Sequence, residues 1–382
     1  MSVRMSIRMS WLAAAALLGG VLAGSPSAAS AEELVYGAWM SPREYQNVHV
    51  MPEMFKNIEK ATNGAIKWKL IPGGAIADGK GTFAAVKDGL MQGGMGIVTY
   101  SPNTIPSVYA IYSTVILGHS DVVAATGAAL EVMYLRCPSC LQEFKRNNAV
   151  PLGGWDSAAY VLACTSPVKS PADLKGKRVR ATAGNGELMR AAGGVPVNVT
   201  LVDAVGLLQR GGLDCQHGVA DWLKTFGYAD FTKYVADQPL GITGPAIGFV
   251  MNRGTWNKLT PEQKAVHIKQ AAWMSAKMAI GNFMIANDET LATLVKEKGV
   301  TVLKTDPKDW AGVIAEFQKS DRARNVAKAK SFGVADPGTI IDDYQKTIEA
   351  WRGRSKEIGR DIDKFAAVLM RDVFSKIDLT KL

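Results

Sequence analysis

The sequence is poor in the residues that build catalytic centres. Histidine occurs four times, at His49, His119, His217 and His267, scattered and outside any metalloprotease or hydrolase motif. No nucleophile–base–acid set accompanies them. Cysteine also occurs four times. Cys137 and Cys140 form one CxxC pair, and a zinc site would need two more ligands that are not spaced for it. Arginine-rich runs and aromatic–basic interleaving are missing, which argues against a nucleic-acid partner. Long apolar runs are scarce as well. The run at residues 11–23 falls short of the roughly 20 residues a membrane-spanning helix needs, and no longer one follows.

What the chain does have at its start is an export pattern. Arg4 and Arg8 give a basic opening, the apolar run follows, and Ala29-Ser30-Ala31 supplies a small-residue cleavage site. Residues 1–31 therefore read as a signal peptide, with a membrane anchor as the alternative. No cysteine stands beside the cleavage site to carry a lipid. The formal charge is +9, of which Arg4 and Arg8 contribute two, leaving +7 for the exported part. Such a surface can steer anions or simply be solvated. The 382 residues are 47% hydrophobic and 21% charged, ordinary globular values with enough length for two lobes.

The first lobe opens with a strand over 34–39, broken by Ser41-Pro42. Helical spacing follows over 50–61, then a strand over 65–71, a helix over 80–90 and a strand over 95–100. Gln92-Gly93-Gly94 reads as a local loop insertion. A helix is expected over 120–134, and helical spacing resumes after Cys140. The CxxC pair can be a structural disulfide or two unpaired thiols in an exported protein. Cys164 and Cys215 fall on two predicted second-lobe strands, and a bridge between them is one arrangement open to them.

The stretch 173–218 is the most ordered in pattern. Strands over 177–181, 195–200 and 213–219 alternate with helices over 187–192 and 203–209. Such alternation implies a mostly parallel sheet, whose ligands bind at the carboxyl ends of strands. Arg180 ends the first of these strands. Lys177 and Arg178 read as solvated. Gly184-Asn185-Gly186 suggests a dinucleotide loop, but Met189 stands where the third glycine belongs.

This stretch resembles the solute-binding subunits of TRAP transporters, the DctP-type periplasmic receptors. Asp173-Leu174-Lys175-Gly176-Lys177-Arg178-Val179-Arg180 matches their D-L-K-G-x-K-x-R run. Gly193-Gly194-Val195-Pro196 matches G-x-x-P, and Leu207 to Gln216 follows their L-Q-x-G-x-x-D-G-Q pattern with Cys215 for the last glycine. Thr62-Asn63-Gly64, Pro72-Gly73-Gly74 and Leu259-Thr260-Pro261-Glu262 also fall in the expected order. The resemblance covers about residues 34 to 330.

The resemblance implies an α/β, two-lobed periplasmic-binding-protein fold with a central cleft, crossing strands and a long lobe-spanning helix over 261–298. Lobe I is expected over 32–155 plus 246–336, lobe II over 156–245, and a C-terminal helical brace over 337–382. It implies a periplasmic receptor for an organic acid. The receptor would be monomeric, need no cofactor, and deliver its ligand to the small and large membrane permease subunits of an ion-gradient-driven transporter. The alternatives are a ligand-sensing partner of a membrane receptor and an enzyme on the same scaffold.

In the family the arginine of K-x-R takes the ligand carboxylate, so Arg180 is the expected anchor. An arginine fork offers a carboxylate two parallel charge-assisted bonds. Other family ligand positions differ here. Tyr160 stands where many acid-binding members have a second arginine, and Gly218 where many have asparagine. Trp39, Tyr100, Trp155, Tyr160 and Trp222 fall at cleft-facing positions, and His217 is either a ligand contact or a hinge contact. Together they favour an aromatic or otherwise hydrophobic monocarboxylate over a small dicarboxylate.

Overall fold

A computed structural model describes residues 32–117 and 120–382. The expected signal peptide and His119 lie outside the described residues.

Two sheets form the frame. The strands in chain order are β1 (Glu32–Gly37), β2 (Ile66–Ile71), β3 (Gly93–Gly96), β4 (Ala149–Pro151), β5 (Gly154–Trp155), β6 (Val161–Cys164), β7 (Arg178–Arg180), β8 (Val195–Val197), β9 (Cys215–Gly218), β10 (Tyr234–Ala236), β11 (Ala246–Asn252) and β12 (Thr301–Leu303). The first sheet runs β2-β1-β3-β11-β4, with β5 also on β11. The second runs β12-β10-β6-β9-β7-β8. The expected α/β, two-lobed architecture is present. Both sheets are mixed rather than mostly parallel. β7 pairs parallel with β8 and β9, whereas β6 pairs antiparallel with β9 and β10.

The chain crosses from the first sheet to the second between β5 and β6, and returns between β10 and β11. These two crossings run side by side. Ser157 N–H donates to the Thr243 carbonyl at 3.0 Å, Tyr160 N–H to the Gly241 carbonyl at 2.8 Å, and Leu240 N–H to the Tyr160 carbonyl at 2.7 Å. Pairing in this way satisfies the backbone where the chain would otherwise be bare between lobes.

Several boundaries differ from expectation. The third strand is Gly93–Gly96, starting within the segment read as a loop insertion, and Val98–Tyr100 is a single 3₁₀ turn. The glycines are needed for packing. A Cβ at Gly93 would stand 2.2 Å from the Phe249 ring and one at Gly94 2.7 Å from Met91, so side-chain pattern carries no strand signal there. β12 was expected in the first lobe, but it pairs with β10 in the second sheet. Trp310 and Phe317, which follow it, are buried in the second lobe's core with Leu162 and Val179. The C-terminal segment is two helices, Pro337–Ile358 and Ile362–Asp372, parted at Gly359.

The long helix is continuous but not uniform. It is α-helical over Pro261–Ala276, widens to a π-helix over Lys277–Ala286, and returns to α over Asn287–Lys298. Thr260 and Gln263 close its start as a reciprocal capping box. Disulfides join Cys137 to Cys140 and Cys164 to Cys215. The second lies directly across the β6–β9 pair. Among the described residues no helix is long and apolar enough to cross a membrane.

The C-terminal helix is tied to the first crossing. Tyr344 donates to Asp156 Oδ2 at 2.8 Å, and Asp156 N–H donates to Thr126 Oγ1 at 2.9 Å. Burial, only partly offset by Tyr344, pushes the Asp156 carboxyl up to about 7. Its folded value then lies above its unfolded one, so it lowers stability progressively as pH rises from about 4 to about 7. Asp156→Asn keeps an acceptor for Tyr344 and cannot ionise. Its melting temperature relative to the parent should climb between about pH 4 and about pH 7 and level off above that. Parallel pH profiles for the two proteins would refute this account.

Candidate functional site

Arg180 closes β7 with β8 and β9 on either side. Its side chain turns into the space between the lobes and is 3% exposed. Nε donates to the Val199 carbonyl at 3.1 Å, and Nη2 to the Tyr100 hydroxyl at 3.3 Å. Neither bond uses Nη1. Among the described residues no carboxylate oxygen comes within 4.0 Å of the guanidinium. Burial works against its charge, and the surrounding Tyr100, Tyr228, Tyr160 and Tyr112 outweigh burial and raise its pKa. Arg180 is therefore a desolvated, permanent cation without a protein counterion. Such a group costs several kcal/mol or more unless an anion meets it.

The backbone beside it is held by two phenols. Leu201 N–H donates to Tyr100 at 3.0 Å, and Tyr228 donates to the Leu201 carbonyl. Tyr100 belongs to the first lobe, so this hydroxyl joins the lobes across the cleft. It accepts from both Arg180 and Leu201, which leaves its own proton to give. Leu201 begins the helix Leu201–Gln209, capped by Thr200. The amide end of a helix favours negative charge nearby.

The cavity against Arg180 is walled mainly by apolar groups. Trp155 and Tyr160 come from the crossings, Trp222 from the second lobe, and Met40, Met95 and Tyr112 from the first. Met278 and Phe283 reach it from the widened section of the long helix. Wide turns of this kind recur at functional sites. The space is tight, admitting the centres of water-sized spheres over about 40 Å³. Tyr160 and Trp222 meet edge to face at 5.4 Å, and the Arg180 guanidinium lies 5.9 Å from the Trp222 ring centre.

Of the residues singled out from sequence, Arg180, Tyr100, Trp155, Tyr160 and Trp222 are brought together on this cavity. Trp39, His217 and Gly218 stand behind its wall. Trp39 packs edge to face on Tyr100 at 5.6 Å, and His217 on Tyr160 at 5.2 Å. Burial first, then the Arg180 charge, pushes His217 down to about 3, so it is neutral. The Leu240 backbone faces its ring without a regular hydrogen bond to either nitrogen. Arg178 is exposed and paired with Asp214 at 2.8 Å, and Lys177 meets Ser166 Oγ at 2.9 Å. Gly184 and Gly186 belong to the helix Ala183–Ala191, with Gly184 packed against the Ser113 carbonyl rather than shaping a phosphate loop.

Sequence reasoning missed Glu44, Tyr112, Met278 and Phe283. Glu44 had a findable signal. It lies in the loop after β1, at the carboxyl end of a strand, where α/β sheets place ligands.

These features set the comparisons with known proteins. The model of the DctP family, bacterial extracellular solute-binding protein family 7, matches residues 39–324. The chain belongs to this family. It is 23% identical over 305 residues to the 2,3-diketo-L-gulonate-binding periplasmic protein YiaO of Escherichia coli (strain K12), covering 76% of this chain and 86% of that one. Its fold is similar to that of a TRAP solute-binding protein from Rhodoferax ferrireducens T118, solved with copurified benzoate. That match has a TM-score of 0.73 and 16% identity, over 86% of this chain and 99% of the other. It is also similar to a marine metagenome TRAP solute-binding protein specific for aromatic acid ligands, solved with 3-hydroxybenzoate. There the TM-score is 0.72 and the identity 18%, over 84% and 99% of the two chains.

Gly218 shows how the wall is built. A Cβ there would stand 2.4 Å from the Trp222 ring and 2.2 Å from Gln216 Nε2. The missing side chain lets Trp222 lie against β9 beside Arg180. Gly218→Ala should push that ring outward and cost roughly 1–3 kcal/mol in denaturant unfolding. Gly353→Ala, on a helix with open space at its Cβ, should be neutral or slightly stabilising. Equal effects would show that the packing at Gly218 is not limiting.

Proposed function

We propose that this receptor captures a hydrophobic, preferably aromatic, monocarboxylate in the interlobe cavity, with Arg180 as the anchor for the carboxylate. The single observation that carries the reading is the buried Arg180 cation, which has no protein carboxylate and faces a cavity of aromatic and aliphatic side chains. A ligand carboxylate supplies the missing charge. Nη1 and Nη2 offer it a fork, and the Tyr100 proton can add a third bond. Trp155, Tyr160 and Trp222 cover the ligand's apolar body, excluding water and so strengthening the ion pair.

Tyr160 and Gly218 leave Arg180 without a second cation or amide at those two positions. That favours one carboxylate over two. The ligands named for similar proteins point the same way: benzoate, 3-hydroxybenzoate and 2,3-diketo-L-gulonate each carry a single carboxyl group. On this reading the lobes close about the paired crossings. The loaded form then meets the small and large membrane subunits of a TRAP transporter, after export by the segment 1–31.

A thermal-melt screen of the mature protein against organic acids tests the reading. A ligand at 100 times its dissociation constant adds about 2.7 kcal/mol. Aromatic monocarboxylates should raise the transition more than short dicarboxylates, sugar acids or sulfonates. Arg180→Ala should remain folded and lose roughly 2–5 kcal/mol of affinity by calorimetry. Arg180→Lys, which lacks the fork, should recover only part of it. An Arg180→Ala protein that binds within about threefold of the parent would remove Arg180 as the anchor.

A further inference from the structure

Glu44 reaches the Arg180 cavity from the opposite lobe. It is 2% exposed. Its carboxyl group meets two backbone amides, Gln46 N–H at 2.6 Å and Asn47 N–H. Among the described residues no lysine or arginine nitrogen lies within 4.0 Å of it. The charged and titratable groups that face it are few. Asp221, on the second-lobe helix Asp221–Thr225, faces it and is itself held by Thr225 at 3.0 Å and Thr290 at 3.4 Å. Tyr36 on β1 lies close enough for Glu44 to raise its pKa, and Arg180 stands on the same cavity.

Burial first, then the Asp221 carboxylate, lifts Glu44 to about 8. At neutral pH it is an uncharged acid whose O–H needs an acceptor. The amides around it only donate, so they cannot take that proton. The open space it lines is the cavity.

We propose that Glu44 is the first lobe's polar anchor for the ligand, which therefore carries an uncharged hydrogen-bonding group, a hydroxyl or carbonyl, away from its carboxylate. The inference rests on the Arg180 reading above. It gives each lobe one polar hold on the ligand, Arg180 on the carboxylate and Glu44 on the neutral group. A ligand held at both poles rewards closure, because neither lobe alone makes both bonds. A second carboxylate at this pole would meet Glu44, an acid that Asp221 already faces.

Calorimetry with benzoate and 3-hydroxybenzoate, between about pH 6 and about pH 9, tests this on the mature protein. The parent should bind 3-hydroxybenzoate about tenfold more tightly than benzoate, the scale of one hydrogen bond. Its affinity for 3-hydroxybenzoate should fall as pH rises through about 8, where Glu44 loses its proton. Glu44→Gln keeps a donor and cannot ionise, so it should keep the preference and lose the pH dependence. Glu44→Leu should bind the two acids about equally. A preference that survives in Glu44→Leu, or an unchanged pH profile in Glu44→Gln, overturns the proposal. So does affinity that rises with pH in the parent. Arg180→Ala separates the two readings. If it abolishes binding of both acids while the Glu44 variants behave as the parent does, only the Glu44 inference falls. If it binds as the parent does, the underlying reading falls too. Binding of neither acid by a folded parent overturns both.

Discussion

A guanidinium sealed between two lobes with no protein carboxylate is the constraint on which the site depends. An arginine cannot relieve its burial by losing its proton, as a lysine can. Its charge must be met by dipoles, by water or by an incoming anion. Among the described residues its hydrogen bonds go to a carbonyl of Val199 and a phenol of Tyr100. Both are neutral partners, enough to orient the fork and too weak to neutralise it. The surroundings follow from that. β7 fixes the base of the side chain between two neighbours. The helix Leu201–Gln209 brings its amide end to the same place, and the aromatic wall limits water. On the proposed reading the site is completed by its ligand, since the largest favourable interaction available to it is left for a molecule that is not part of the chain.

The parts of this that could be read from sequence are those whose signal is local. Arg180 ends a short strand inside a run of strand and helix periods bounded by glycines, and its direction follows from sheet geometry alone. The cysteine pairs could be posed as candidates because one is three residues apart and the other falls on two predicted strands. Both pairs are disulfide-bonded. The two lobes and the long helix were expected from the family resemblance, with Leu259-Thr260-Pro261-Glu262 marking where the helix starts.

The rest was hidden for definite physical reasons. β3 has glycine at three of its four positions, because neighbouring rings fill the space its side chains would occupy, so the alternation that marks a strand is absent. β12 and the helix behind it looked like first-lobe material because they follow first-lobe elements in the chain. Only their pairing with β10 and the burial of Trp310 place them in the second. The widened section of the long helix changes the angular position of Met278 and Phe283 without any mark in composition. Trp39 and His217 were drawn from the right neighbourhood, but they stiffen the wall from behind. Tyr100 and Tyr160, on which they pack, are the residues that face the cavity.

The electrostatic arithmetic of the cleft bears on what it can close around. The fixed charge on its inner surface is the single positive charge of Arg180. Two acids, Glu44 and Asp221, come from opposite lobes; burial raises both, and the Asp221 carboxylate adds to burial in making Glu44 harder to ionise. On the proposed reading, bringing the lobes together favours the neutral form of Glu44 as a monocarboxylate neutralises Arg180. The closed cavity can then hold one cation, one anion and no excess charge, which is the cheapest state for a space with aromatic walls. A dianion would leave one charge unmatched beside Glu44. A neutral ligand would leave Arg180 unmatched. On the proposed reading, selectivity by charge is a property of the whole closed cleft and not of Arg180 alone. The replacement of possible polar partners by Tyr160 and Gly218 belongs to the same balance as the cation itself.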